Sequence, residues 1–145
     1  MYERIVVGTD GSGSAGQAVK EAARLAKQCG AVLHVVTAFK PLSALMTHPE
    51  FATFSASAYE SLDPAGGAKA TTEHAAVLIE KGVDVEQHQV PGSAVDALCD
   101  VAQTVGADLI VVGNRGMTGA RRVLGSVPNS VAHNAPCSVL IVQTT

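Results

Sequence analysis

Aromatic side chains are nearly missing: Phe, Tyr and Trp make up 3% of the 145 residues, and Trp is absent. The core must therefore be built from Val, Ala, Leu and Ile, which suits a sheet covered by helices on both faces. Charge is scarce as well, 16% of residues against 47% hydrophobic, which excludes a disordered chain. With a formal net charge of −3 there is no excess of basic residues, so charge-driven attachment to nucleic acid or to an anionic membrane is not expected. The three cysteines, Cys29, Cys99 and Cys137, are odd in number and form no C-x-x-C pair. Neither a disulfide framework nor a thiolate metal cluster is expected, and the cysteines read as small apolar residues in a reducing compartment.

No apolar run approaches the roughly 18 residues of a membrane span. The start, Met1-Tyr-Glu-Arg-Ile5, enters a strand too soon to hold a signal peptide. The expectation is one domain over residues 1–145, in the cytoplasm. Catalytic signatures are missing too: there is no G-x-S-x-G elbow and no H-E-x-x-H pair. His34, His48, His74, His88 and His133 are scattered and read as structural or solvated.

What the chain does contain is regular. Short continuous apolar runs at Ile5–Val7, Val32–Val36, Leu109–Val112 and Val139–Val142, with a weaker one at Val83–Val90, read as strands buried on both faces and hence parallel. Helical stripes alternate with them. Ala15, Ala18, Val19, Ala22, Ala26 and Cys29 precede Gly30; Ala68, Thr71, Ala75, Leu78 and Ile79 precede Gly82. Ala94, Val95, Leu98, Val101 and Ala102 precede Gly106, and a short stripe at Val127, Ser130, Val131 and Asn134 precedes Pro136. The order β-α-β-α-β-α-β-α-β predicts an open α/β sheet with right-handed crossovers. One connection, residues 38–66, is unusually long and holds all three phenylalanines, Phe39, Phe51 and Phe54. It reads as a cover over a site or an oligomer contact, with a loop anchored by a few aromatics as the plainer alternative.

Two glycine clusters compete as ligand loops. Gly11-Ser-Gly13-Ser-Ala-Gly16 spells G-x-G-x-x-G at the end of the first strand. The dinucleotide reading needs an acid near the end of the second strand, where the sequence reads Val35-Val-Thr-Ala-Phe-Lys40. This cluster is better read as a tight turn with Ser12 or Ser14 capping the first helix. Asp10, at the strand's carboxyl end, is a candidate for a divalent ion or a ligand hydroxyl, or a turn residue accepting backbone N–H bonds.

The second cluster, Val111-Val-Gly-Asn-Arg-Gly-Met-Thr-Gly-Ala-Arg-Arg-Val-Leu-Gly-Ser126, is more informative. Gly113 and Gly116 directly after a buried strand let backbone amides approach a ligand. Gly125-Ser126 opens the next helix, where free N–H groups and the helix dipole favour an anion. Arg115, Arg121 and Arg122 add positive charge. Together these residues outline a phosphate cup made mainly of backbone. It is not a Walker A loop, since no Lys precedes the hydroxyl residue.

At these residues the sequence resembles the universal stress protein family. The resemblance runs through Val6-Val-Gly-Thr-Asp10, Leu33-His-Val-Val36, Val90-Pro-Gly-Ser93, Ala107-Asp-Leu-Ile-Val-Val-Gly113, the glycine loop and Pro136-Cys-Ser-Val-Leu-Ile-Val142. It implies a five-stranded parallel sheet in the order 3-2-1-4-5, Rossmann-like with helices on both faces, and a homodimer. It also implies ATP, another adenine nucleotide or cyclic AMP as ligand, with Mg²⁺ at Asp10 as a candidate metal site; the sparse catalytic groups point to no enzyme, with at most weak incidental ATP hydrolysis.

By the resemblance Gly113, Gly116, Gly125 and Ser126 would line phosphate and ribose, and Thr9, Asp10, Val35 and Val112 would surround adenine, ribose or a divalent ion. Gly8, Arg115 and Val127, beside them in the sequence, are further nucleotide-binding candidates. The family's motif is G-x2-G-x9-G-[ST]; here eight residues, Met117 to Leu124, separate Gly116 from Gly125, and Pro128 stands where a hydroxyl residue is common. The final strand, Ser138–Val142, is expected at a sheet edge, where pairing with its symmetry mate would form the dimer. The leading expectation is a dimeric nucleotide sensor or reservoir. The alternative is a nucleotide-free module that binds a protein partner through residues 38–66.

Overall fold

Five apolar segments pair side by side as parallel strands in the order β3-β2-β1-β4-β5. They are β1 (Arg4–Gly8), β2 (Val32–Phe39), β3 (Asp84–Pro91), β4 (Leu109–Gly113) and β5 (Ser138–Val142). Helices α1 (Gly13–Cys29), α2 (Pro64–Val77), α3 (Ala94–Val105) and α4 (Val127–Asn134) connect them. The computed structural model describes residues 1–43, 63–114 and 126–144. This is the fold class and strand order expected from the sequence.

The continuous apolar runs are explained by burial on both faces. In β1, Ile5, Val6 and Val7 are all fully buried, but they feed two different cores. Ile5 and Val7 join Leu33, Val35, Leu109 and Val111 under the alanine stripe of α1 and Ala75 of α2. Val6 joins Val36, Ile110 and Val112 under Ala97, Leu98, Val101 and Ala102 of α3 and Val131 of α4. Small alanines let the helices approach the sheet closely, which is how a core almost without aromatic residues reaches native density.

The helices start and stop where their caps dictate. Ser12, Ser93 and Ser126 cap α1, α3 and α4, each accepting a hydrogen bond from the amide three residues on. Gly30 and Gly106 end α1 and α3 with φ of 66° and 67°, a left-handed turn that glycine enters without a Cβ penalty. The α2 boundary differs from the sequence reading: the helix begins at Pro64, behind an Asp63 cap, and ends at Val77, short of Leu78 and Ile79. Likewise β2 runs on to Phe39, so the long connection shrinks from both ends. Of that connection, residues 44–62, including Phe51 and Phe54, lie outside the described residues. The cysteines are half-buried rather than core residues. Burial, with nearby acids adding to it, pushes the Cys99 and Cys137 thiols up, keeping them protonated.

Asp108 ties the two central strands at their amino ends. Its carboxylate accepts from the Glu3 amide at 2.8 Å and the Arg4 amide at 3.2 Å, while its own amide donates to the Arg4 carbonyl. Replacing Asp108 with Ala removes both charge-assisted bonds at a half-exposed site and should cost about 1–2 kcal/mol. Urea denaturation checks this, and an unchanged midpoint would show that the β1–β4 register is held without Asp108.

Candidate functional site

The strand order reverses between β1 and β4. The chain leaves β1 into α1 on one face, whereas it leaves β4 toward α4 on the other. A crevice must open outside the carboxyl ends of these two strands. The structure has a cavity of about 590 Å³ there, within the usual size of small-molecule sites. Its walls come from Gly8, Thr9, Asp10, Ser12, Ser14, Ala15, Val36, Ala38, Ala94, Leu98, Val112, Gly113, Val127 and Pro128. The first residues of α1, α3 and α4 all face it, so three helix amino-termini converge on one space.

The two sides of the cavity differ chemically. Val36, Ala38, Ala94, Leu98 and Val127 make an apolar wall, and Thr9, Asp10, Ser12 and Ser14 a polar one. On the polar side the turn after β1 is locked. Thr9 donates its amide to the Val36 carbonyl at 2.9 Å and accepts the Gly11 amide on Oγ1 at 3.2 Å. Asp10 accepts the Ser12 amide on Oδ1 at 2.9 Å. Both readings of Asp10 therefore meet here, since a turn-forming carboxylate also stands in the cavity wall. Beyond it, Gly13 and Ser14 occupy the first turn of α1, where amides lack intrahelical acceptors.

Gly113 is explained by packing as well as by access. A Cβ there would stand 3.3 Å from both Ser14 Oγ and Thr144 Cγ2. Over this glycine the C-terminal segment crosses to α1. The Thr144 amide and hydroxyl donate to Asn114 Oδ1 at 2.9 and 3.0 Å. With that hydroxyl proton committed, Ser14 Oγ is the donor to Thr144 Oγ1 at 2.5 Å. Gly8 has a similar role, because a Cβ there would lie 3.1 Å from Leu98 Cδ2.

Of the residues singled out from the sequence, Gly8, Thr9, Asp10, Val112, Gly113 and Val127 are brought together around the cavity. Ser126 is buried at the head of α4, its Oγ accepting from the Asn129 amide at 3.4 Å. Val35 is placed elsewhere: strand alternation turns it into the α1-side core, and its neighbour Val36 reaches the cavity. Arg115, Gly116 and Gly125, with Arg121 and Arg122, lie outside the described residues. Sequence reasoning missed Ala38, Ala94 and Leu98. Their positions at the end of β2 and on the cavity side of α3 follow from topology, not from any motif.

A second polar cluster was also missed. His34 is buried in β2, with Nδ1 3.0 Å from His88 Nε2 and 3.3 Å from Glu86 Oε2, both on β3. Burial pushes the His34 pKa below its ordinary value, against the opposing pull of Glu86, so the ring is neutral near pH 7. Among the described residues no helix is long and apolar enough to cross a membrane.

Comparison with known proteins agrees with this architecture. The universal stress protein family model matches residues 1–143. The chain is 39% identical over 152 residues to universal stress protein Rv1636 of Mycobacterium tuberculosis, with 99% of this chain and 98% of that one covered. It is 31% identical to universal stress protein YxiE of Bacillus subtilis, covering 99% and 100%. A solved universal stress protein in complex with cAMP superposes with a TM-score of 0.72 at 35% identity, over 99% of this chain and 98% of that one. The universal stress protein of Archaeoglobus fulgidus in complex with dAMP gives a TM-score of 0.70 at 27% identity, with 97% of each chain covered. The family match, the sequence identities and the strand order agree, and the chain belongs to the universal stress protein family.

Proposed function

We propose that this protein binds an adenine nucleotide, ATP or cyclic AMP, in the crevice between β1 and β4, and works as a sensor or reservoir of that ligand. The carrying observation is the cavity itself, where three serine-capped helix starts surround a space with one apolar and one polar wall. A flat apolar base suits the Val36, Ala38 and Leu98 side. An anionic group suits the helix starts, where amides and dipoles point the same way. That two structural relatives hold cAMP and dAMP supports the choice of adenine nucleotides.

Asp10 is the carboxylate among the described lining residues and is the group that would recruit Mg²⁺ beside a nucleoside triphosphate. Calorimetric titration with ATP and with cyclic AMP, each with and without Mg²⁺, tests the reading. An absence of heat at about 1 mM ligand, weaker than roughly −4 kcal/mol, removes it.

Gly113 is a poor place to block the site, because a side chain there also displaces Ser14 and Thr144. Ala94 is better placed. It is half-buried at the first position of α3, where an acid is compatible with the helix dipole. Ala94→Glu should weaken nucleotide binding by roughly tenfold or more, which is about 1.4 kcal/mol. Its thermal midpoint should match that of the parent. Unaltered affinity in a folded Ala94→Glu protein would place the ligand elsewhere.

The sensor is proposed to act as a homodimer through β5. Among the described residues this strand pairs with β4 alone, and Leu140 and Ile141 are each 38% exposed on it. An apolar, unpaired strand edge is a template for a second chain. Sedimentation should give a dimer for the parent and a monomer for a Leu140→Lys/Ile141→Lys double variant. A monomeric parent, or a dimer that survives both lysines, would exclude this edge as the interface.

A further inference from the structure

The cluster on the opposite edge of the sheet from β5 contains more ligand capacity than hydrogen. His34 pairs with Glu86 and Val36 with His88 in the β2–β3 register. Strand alternation therefore puts His34, Glu86 and His88 on the α3 face, the face of Val6 and Val36. Their ligand atoms, His34 Nδ1, His88 Nε2 and a Glu86 oxygen, all lie within 4.8 Å of one another. His34 Nδ1 faces a ring nitrogen at 3.0 Å and a carboxylate oxygen at 3.3 Å at once.

A neutral imidazole nitrogen either carries one proton or accepts one. If His34 Nδ1 donates to Glu86, the His88 contact has no proton of its own along that line. If instead it accepts from His88, its single lone pair is taken up there and the Glu86 oxygen 3.3 Å away meets the same nitrogen with no proton between them. The other ring nitrogen, Nε2, is buried and has no hydrogen-bond partner to draw the proton away from this competition. A single cation between the three donor atoms satisfies all of them together.

We propose that His34, Glu86 and His88 form a binding site for a divalent transition-metal ion of the zinc class. Two nitrogens bound to one zinc ion at about 2.0–2.1 Å with tetrahedral angles stand roughly 3.3 Å apart, so the 3.0 Å ring contact has only to open slightly. Two imidazoles and a carboxylate select zinc and its neighbours over Mg²⁺, which takes oxygen ligands. His34 comes from the buried interior and fixes the geometry. Glu86 is exposed and His88 half-buried, which gives the ion an entry path and leaves its fourth position to water. The site stands on β2 and β3 and needs no nucleotide.

The test is Zn²⁺ titration of the nucleotide-free full chain by calorimetry and by competition with a chromophoric chelator, with Mg²⁺ as control. The parent should take up one Zn²⁺ and no Mg²⁺ at this site. His88→Ala and Glu86→Gln should each weaken zinc by at least the 10–100-fold that loss of an outer-shell partner causes. Glu86 is exposed and His88 half-buried at the sheet edge, and circular dichroism confirms the fold; should His88→Ala unfold, Glu86→Gln carries the test alone. No Zn²⁺ uptake by the parent, or uptake that a folded variant keeps at parent affinity, overturns the site.

Discussion

Everything at the site depends on β1 lying beside β4. These strands come from distant parts of the chain, and their parallel pairing, Ile5 with Leu109 through Val7 with Val111, is the one junction where the sheet changes direction of growth. Because α1 and α4 leave this junction on opposite faces, no helix can cover the carboxyl ends of both strands. The crevice is thus a consequence of strand order. The residues that guard the order are buried valines and isoleucines above and Asp108 below, the latter holding the amides of Glu3 and Arg4. A parallel ladder needs such anchors, since no tight turn sets its register.

Among the described residues the crevice is lined by three helix starts and one charged side chain, Asp10. A serine cap takes up one amide at each of these three helix starts, and the other first-turn amides lack intrahelical acceptors. The helices are unequal in this respect. Pro128, at the second position of α4, brings no N–H, and its ring forms part of the wall. In α1, by contrast, Gly13 and Ser14 both carry amides. The hydrogen bonds at Thr9, Asp10 and Ser12 hold that helix start in place.

The fold was legible in the sequence because its signals are local and redundant. Continuous Val/Ile/Leu runs, serine caps and terminal glycines each specify an element without reference to the others. The site was less legible. Gly8, Thr9, Asp10 and Gly113 could be placed because they end strands, and strand ends are readable. Val35 and Val36 could not be told apart, since a one-residue shift turns a side chain from one face to the other and both residues are valine. Ala94 and Leu98 carry no motif. The His34–Glu86–His88 cluster was invisible for another reason: residues 52 and 54 positions apart meet only once the β2–β3 register is known. The alternation of Glu86 and His88 along a weakly apolar strand was the available hint.

The two edges of the sheet treat exposure in opposite ways, and the contrast constrains how the molecule can assemble. β3 carries Asp84, Glu86, Gln87, His88 and Gln89, a polar edge that resists pairing with a second copy by charge and solvation. β5 reads Ser-Val-Leu-Ile-Val, with two large aliphatic residues half in water. Leu140 and Ile141 stand partly exposed side by side on this edge, at a cost in hydration unless another surface covers them. Of the two sheet edges, β5 is the one that offers apolar surface to a second chain. The other edge stays open to solvent, and that is where imidazole and carboxylate groups can meet a dissolved ion.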